Sequence, residues 1–293
     1  MSNTPKIEAF FDEPTNTISY LVRDPDSKLA AVIDPVLDYN PVNGEVDTRS
    51  VDRILDVIRA EGLTLTHALE THAHADHLSA APYLKAETGA QIGIGAHIKD
   101  VQKIFRPMFN ADDIKADGSD FDLLFNDGET FQIGGLTVEI LHTPGHTPAD
   151  ICYKIGDVVF VGDTLFMPDY GTARTDFPGG DAHRLWQSIQ RLLSLPRETK
   201  LYMCHDYLPE GRTEYRWETT VGEQIDANIH LKDTGEETFV HLREARDAKL
   251  AAPRLLLPSI QVNIRAGRFP KAEANGVRYL RIPVRIKNRK LMA

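Results

Sequence analysis

Apolar residues recur with two distinct periods along this chain, and these periods predict its strands and helices. Short apolar runs between turn residues predict strands at 7–11, 17–22, 29–33, 63–69, 91–94, 130–133, 136–141, 150–154, 158–161 and 200–204. Apolar residues at helical spacing predict helices at 47–60, 78–88, 181–193, 219–228 and 236–249. The order of these elements indicates two similar halves, each with one sheet and with helices outside it.

Two segments fit this scheme less well. The stretch 99–122 is irregular, and we predict that 105–119 forms a surface excursion beside the functional site. From 280 to 287 apolar residues alternate with Arg, Pro and Lys. This alternation predicts a strand or extended arm near the end of the sequence, with one face exposed to solvent. Pro283 places this segment at the edge of a sheet.

Four potential metal ligands follow the predicted strand 63–69. They are His72, His74, Asp76 and His77, in the sequence THAHADH at 71–77. In extended backbone His72, His74 and Asp76 point to one side, so their side chains converge without help from distant loops. Imidazole and carboxylate groups bind divalent zinc and iron, so the cluster predicts a metal site.

Three later strands also end in ligand-type residues. The strand 136–141 runs toward His146, 158–161 leads to Asp163, and 200–204 leads to His205. Loops at strand ends are the usual position for functional side chains on a rigid scaffold. Four such ends in order favour one shared metal site over unrelated packing roles.

Composition narrows the classes of protein. The net charge of −10 disfavours binding to nucleic acid or to an anionic membrane. No apolar run approaches the roughly 18 residues that span a bilayer. The first residues lack the apolar core of a signal peptide, so we expect a cytoplasmic protein.

The two cysteines, Cys152 and Cys204, cannot form a disulfide framework. We expect both in the core, with Cys204 turned away from the metal by strand alternation. The segment 254–293 carries ten Lys and Arg against one acidic residue, Glu273. These cations either form a solvated face that balances an acidic body, or meet an anionic ligand or a partner subunit.

The ligand set resembles the metallo-β-lactamase superfamily. The residues that carry the resemblance are His72, His74, Asp76, His77, His146, Asp163 and His205. It implies an α/β fold of the αββα sandwich type, with two mixed sheets flanked by helices and the metal at one edge between them. We expect a catalytic domain at 1–235, and a C-terminal helix with a basic extended arm at 236–293 that packs on it.

One branch with this set resembles glyoxalase II, a thioester hydrolase. That resemblance implies two metal ions, taken here as two Zn, with all seven residues as ligands. A metal-bound hydroxide would then attack an acyl-glutathione.

The second branch is that of the persulfide dioxygenases, which the chain resembles in three further segments. The segment 171–177 reads GTARTDF, 205–207 reads HDY, and 263–267 reads NIRAG. The stretch 206–224 is similar to a bacterial subtype. This resemblance implies one Fe(II) per chain held by His72, His146 and Asp163. The four remaining residues would then orient these ligands or hold water.

The second resemblance also implies the substrates, glutathione persulfide and O2, which are converted with water to sulfite and glutathione. Glutathione carries two carboxylates, which arginine grips in bidentate fashion. The candidate substrate-binding residues are Arg174, Asp176, Tyr207, Arg212 and Arg216. The basic arm with its edge strand could pair two subunits into a homodimer.

Overall fold

The computed structural model describes residues 4–284 and 286. Its strands are β1 Lys6–Asp12, β2 Thr17–Arg23, β3 Leu29–Ile33, β4 Val36–Asn40, β5 Glu45–Asp47, β6 Thr64–Leu69, β7 Leu78–Ser79, β8 Gln91–Gly95, β9 Leu123–Phe125, β10 Thr130–Ile133, β11 Leu136–His142, β12 Ile151–Ile155, β13 Val158–Phe160, β14 Lys200–Tyr202 and β15 Glu218–Thr220. Its helices are α1 Arg49–Glu61, α2 Ala81–Thr88, α3 Ile98–Phe109, α4 Ala182–Leu193, α5 Val221–Ala227, α6 Glu236–Asp247 and α7 Leu256–Asn263.

Two six-stranded sheets form the centre of the fold. The first has the order β1-β2-β3-β6-β8-β9, and the second has the order β10-β11-β12-β13-β14-β15. Both are mixed: β3, β6, β8 and β9 run parallel in the first, and β13 and β14 run parallel in the second. A small sheet, β5-β4-β7, lies beside them.

Three apolar layers hold the sheets and helices together. Alternate residues of each strand enter different layers, as the period of two requires. Tyr20 packs between the two sheets, whereas its neighbour Leu21 packs in the outer layer with residues of α1, α2, α3 and α7. The second outer layer lies under α4 and α6 and includes Leu185 and Phe239. The predicted αββα sandwich is confirmed.

Two predicted elements are wrong. The segment 105–119 is not a surface excursion, because α3 extends to Phe109 and both Phe105 and Phe109 are buried. Pro107 concealed this helix, because a proline inside a helix removes one backbone hydrogen bond and usually marks a helix end. The helix predicted at 78–88 begins at Ala81, because 78–79 pairs with β4 as strand β7.

The end of the chain differs from the predicted strand. Residues 280–284 have no regular secondary structure, and 285 and 287 lie outside the described residues. Phe239 and Ile260 lie in the same apolar layers as the preceding chain. The division into 1–235 and 236–293 stays a proposal. Among the described residues, no helix is both long and apolar enough to cross a bilayer.

Several cations of the basic segment serve internal contacts. Arg265 pairs with both carboxylate oxygens of Asp113 at 2.7 Å. Arg281 donates to the carbonyl of Asn110 at the end of α3. Arg254 instead faces the functional pocket described below. These internal contacts were not predicted, and both interpretations of the segment stay predictions.

Candidate metal centre

Two histidines and one carboxylate meet at the shared edge of the two sheets. Atoms of His72, His146 and Asp163 that could bind a metal all lie within 4.8 Å of one another. Oδ2 of Asp163 is 3.9 Å from Nε2 of His72 and 3.6 Å from Nε2 of His146. The three residues follow β6, β11 and β13, so the strand ends predicted from the sequence do meet.

A second group lies on the other side of Asp163. Nε2 of His205 is 3.4 Å from Oδ1 of Asp163 and 3.2 Å from Oδ2 of Asp76. Nδ1 of His77 lies 3.5 Å from the same Asp76 oxygen. Asp163 therefore stands between the two groups, with one oxygen toward each.

The inward-facing atoms of both groups lack hydrogen-bond partners. Among the described residues these buried atoms are Nε2 of His72, Nε2 of His77, Nε2 of His205, Nδ1 of His74 and Oδ1 of Asp163. An unpaired buried polar atom is costly, and several that converge need a common partner. A divalent metal ion supplies that partner, so the donor set fits a metal.

Contacts behind the ligands fix their direction. Nδ1 of His146 donates to the carbonyl of Arg174 at 2.8 Å, which leaves Nε2 for the metal. Oδ1 of Asp150 lies 4.0 Å from Nδ1 of His72. Burial raises the pKa of Asp150 to about 6, although hydrogen bonds from Thr147 favour the charged form.

His74 is held from behind by two buried carboxylates. Its Nε2 lies 2.9 Å from Asp34 and 3.4 Å from Glu70. Burial disfavours a charged His74, but these carboxylates raise its pKa well above the ordinary value. Asp34 also accepts hydrogen bonds from the amide and hydroxyl of Thr71. It therefore braces the loop that carries the first ligand.

A pocket of about 400 Å³ opens onto the candidate metal ligands. Asp76, His146 and Asp163 lie at its base. Its wall includes the aromatic residues Phe166, Tyr170 and Tyr207 and the cations Arg174, Arg243, Arg246 and Arg254. The pocket thus combines candidate metal ligands, an aromatic wall and positive charge.

The structure separates the predicted substrate residues. Arg174 and Tyr207 line the pocket, whereas Asp176, Arg212 and Arg216 are not among the residues that line it. Asp176 instead pairs with Arg174 through both oxygens, at 2.6 and 2.7 Å. Arg212 pairs with Asp206 and Asp169. The backbone amide of Arg216 also donates to Asp206.

Cys204 is buried as expected, but the expectation that it turns away from the metal site was wrong. Its thiol lies within 4.8 Å of ligand-type nitrogens of His74 and His205. Strand alternation does not apply there, because β14 ends at Tyr202 and the chain bends at Cys204. Burial raises the pKa of its thiol well above the ordinary value, so it stays protonated. Cys152 is buried in an outer apolar layer, as expected.

Three residues of this region were missed in the sequence. Asp34 ends β3, which runs parallel to β6, so its strand end could have been added to the four others. Arg246 lies on α6, one turn after Arg243, and helical spacing puts both on one face. His230 contacts Arg246 and gave no signal, since an isolated histidine is usually structural.

Comparisons with known proteins agree with this geometry. The family model described as the metallo-beta-lactamase superfamily matches residues 13–205. A beta-lactamase hydrolase-like protein of Xylella fastidiosa is 51% identical over 281 residues, which is 96% of this chain and 65% of that protein. The chain therefore spans about two thirds of the length of that relative.

Two further relatives carry names from different branches. Glyoxylase B2 of Dictyostelium discoideum is 48% identical over 288 residues, or 97% of this chain and 98% of that protein. The mitochondrial persulfide dioxygenase ETHE1 of Homo sapiens is 29% identical over 265 residues, or 89% of this chain and 88% of that protein.

A solved structure also matches the fold. ETHE1 from Myxococcus xanthus superposes with a TM-score of 0.73 at 32% sequence identity. The match covers 90% of this chain and 100% of that one.

Proposed function

The chain belongs to the metallo-β-lactamase superfamily, and from that premise we propose that it is an Fe(II)-dependent persulfide dioxygenase. The reaction takes glutathione persulfide, O2 and water to glutathione and sulfite, with release of protons. Its balance needs one O2 and one water for each sulfane sulfur, and no further oxidant.

One observation carries this proposal. His72, His146 and Asp163 form a cluster of two histidines and one carboxylate. This donor set, with further positions left open, is the arrangement of non-heme iron oxygenases. The likeness to the human and Myxococcus xanthus proteins supports the same branch.

The chain's own residues prepare the site. Bound Fe(II) would supply the redox chemistry that activates dioxygen toward a persulfide sulfur. The Arg174 carbonyl and Asp34 hold the ligand loops in place through His146 and Thr71. The ring of Phe166 packs against those of His205 and Tyr207, so this wall of the pocket is apolar and limits water.

The pocket's charge fits an anionic thiol carrier. Arg246 and Arg254 line it, and a guanidinium binds carboxylate in bidentate fashion. Arg174 also lines it but is already paired with Asp176, so it adds positive charge only. Glutathione carries two carboxylates, so its persulfide would place the sulfur toward the metal and its carboxylates toward the arginines. Location in the cytoplasm and pairing of two subunits stay proposals as well.

A dinuclear thioester hydrolase is the second candidate. Asp76, His77 and His205 form a further set of ligand-type residues around Oδ1 of Asp163. Nε2 of His77 and of His205 lack partners, which favours a second metal. The name of the Dictyostelium discoideum relative favours this branch equally.

Metal content and oxygen uptake test the proposal together. Protein purified without added metal is analysed for iron and zinc, and oxygen uptake is followed with glutathione persulfide. We expect about one iron per chain and uptake that needs the persulfide. Two zinc ions per chain, no oxygen uptake and cleavage of an acyl-glutathione would assign the chain to the hydrolases. Asp163→Ala is the matched inactive variant in both assays.

A further inference from the structure

One face of α6 lies along the pocket, although α6 is far from the ligand motifs in the sequence. Arg243 and Arg246 lie on this helix, Leu250 lies just beyond its end, and all three line the pocket. Residues three and seven apart share one helical face. Helix α6 therefore contributes to the pocket and does more than pack against α4.

The arginines that line the pocket differ in the hydrogen-bond partners that their guanidinium groups already have. Arg174 is taken by both oxygens of Asp176 and by the carbonyl of Ala251. Arg243 is buried and donates to Asp247 and to the carbonyl of Thr172. Neither guanidinium therefore has a free pair of N–H groups that could bind a ligand carboxylate in bidentate fashion.

Arg246 has no such partner. In the part of the chain that the structure describes, no carboxylate lies within 4 Å of its guanidinium, and its side-chain contact is with Nε2 of His230 at 3.1 Å. Arg254 also lines the pocket and is exposed, but no hydrogen bond or ion pair to another described side chain fixes its direction. Arg246 therefore has guanidinium N–H groups free to bind a ligand, and its contact with His230 holds the side chain in one direction.

His230 is built into the floor beneath Arg246. Its side chain is buried, and Nδ1 lies 3.1 Å from the hydroxyl of Thr172. Gly171 leaves room for the ring, because a Cβ at that position would overlap it. The packing therefore holds the imidazole in one orientation.

Two N–H groups face the ring of His230. The backbone amide of Thr172 donates to Nδ1 at 3.0 Å, and a guanidinium nitrogen of Arg246 lies 3.1 Å from Nε2. Both groups can only donate and a neutral imidazole has one acceptor nitrogen, so the ring satisfies one of them at a time and Arg246 keeps N–H groups for a ligand. Burial, with the charges of Arg243 and Arg246, lowers the pKa of His230 to about 4, so the ring is neutral near pH 7.

We propose that Arg246 binds a carboxylate of the thiol carrier and that His230 is the positioning residue that directs it. This inference rests on the proposed function, which places an anionic persulfide in the pocket. Arg246 has five N–H donors, of which the contact with His230 uses one, so two remain for a bidentate carboxylate.

Steady-state kinetics of the metal-loaded protein test the pair. The variants are Arg246→Gln, His230→Leu and His230→Gln, with the exposed Arg184→Gln on α4 as the matched control. With glutathione persulfide, Arg246→Gln and His230→Leu should raise KM about 10-fold or more, the range for a charged hydrogen bond, and leave kcat within about twofold. His230→Gln should restore most of the affinity, because its amide oxygen accepts from Arg246.

A substrate without carboxylates separates binding from general damage. With the persulfide of 2-mercaptoethanol, the KM values of all variants should lie within about twofold of the parent protein. A glutathione persulfide KM for Arg246→Gln equal to that of Arg184→Gln would overturn the inference. So would an equal loss with both substrates, since that indicates a structural role.

Binding without turnover keeps this inference distinct from the proposed reaction. Calorimetry with S-methylglutathione should show affinity that Arg246→Gln and His230→Leu weaken about 10-fold. If no oxygen uptake occurs but this pattern holds, the reaction is wrong and the carboxylate site stands. If oxygen uptake occurs and all variants bind as the parent does, the carboxylate site is wrong and the reaction stands.

Discussion

Nε2 of His74 lies 2.9 Å from Oδ1 of Asp34, and both side chains are buried. The same carboxylate accepts hydrogen bonds from the amide and hydroxyl of Thr71, next to His72. One acidic group at the end of β3 therefore braces two positions of the ligand loop after β6. Partners behind metal ligands orient those ligands, and their loss typically weakens metal binding about 10- to 100-fold.

Replacement of Asp34 by Asn should weaken metal binding without unfolding the protein. Asp34 has φ +50, and Asn tolerates this left-handed conformation as Asp does. The amide keeps one acceptor oxygen but loses the charge that strengthens the hydrogen bonds to Nε2 of His74 and to Thr71. We expect metal affinity to fall about 10- to 100-fold, measured by competition with a chelator.

The control for this variant is Asp38→Asn on β4. Asp38 also accepts hydrogen bonds, from Ser50, and in the described part of the chain no hydrogen bond joins it to the ligand loop. It should retain the metal as the parent protein does. Equal metal affinity in Asp34→Asn and Asp38→Asn would contradict the bracing role of Asp34.

Single replacements at the two ligand groups should have unequal effects. His146→Ala removes one of the three clustered ligands of the proposed iron site, whereas His77→Ala removes a residue of the second group. For a single iron, His146→Ala should lose the metal, and His77→Ala should retain about one ion with reduced activity. Elemental analysis of both proteins decides this, and loss of half of a two-ion content in His77→Ala would favour the dinuclear hydrolase.

Local sequence predicted the three clustered candidate metal ligands because each lies three or four residues beyond the end of an apolar strand. The ends of β6, β11 and β13 lie at the shared edge of the two sheets, which brings the three side chains together. Asp34 directly follows the end of β3 and was overlooked because Asp34-Pro35 also resembles an ordinary turn.

The pocket could not be predicted in the same way. Arg246 and His230 meet through the packing of α6, which depends on apolar contacts such as Phe239 with Trp186 of α4. Arg212 illustrates the converse: its place in the sequence favoured substrate binding, but Asp169 and Asp206 already hold it. Tertiary neighbours, which sequence spacing does not show, decide whether an arginine is free.

Two glycines with similar backbone angles should respond differently to alanine. Gly171 has φ +102 and Gly211 has φ +93, so Ala is strained at both positions, by about 1–2 kcal/mol. A Cβ at Gly171 would overlap the ring of His230, whereas at Gly211 it meets no atom within 4 Å. Gly171→Ala should therefore lose about 1–3 kcal/mol more of the free energy of unfolding.

Urea unfolding of the two variants measures this difference, with Gly211→Ala as the strain control. Gly171→Ala should also raise the KM for glutathione persulfide, because displacement of His230 releases Arg246. Equal free energies of unfolding for the two variants would show that the ring of His230 is not fixed against Gly171.

The buried neutral His230 should make the protein less stable as the pH falls. Its pKa is lowered to about 4 in the folded state, against an ordinary value of 6.5. Below pH 6.5 the unfolded chain binds a proton that the folded protein does not, so the free energy of unfolding falls until about pH 4, where both states are protonated. This group contributes a slope of at most about 1.4 kcal/mol per pH unit to the free energy of unfolding.

His230→Gln should remove that slope, so its stability should decline less than that of the parent protein between pH 6.5 and 4.5. The exposed His241→Gln is the control and should follow the parent curve. Urea unfolding at half-unit pH steps gives the comparison, and parallel curves for the parent and His230→Gln would mean that His230 is charged or solvated in the folded protein.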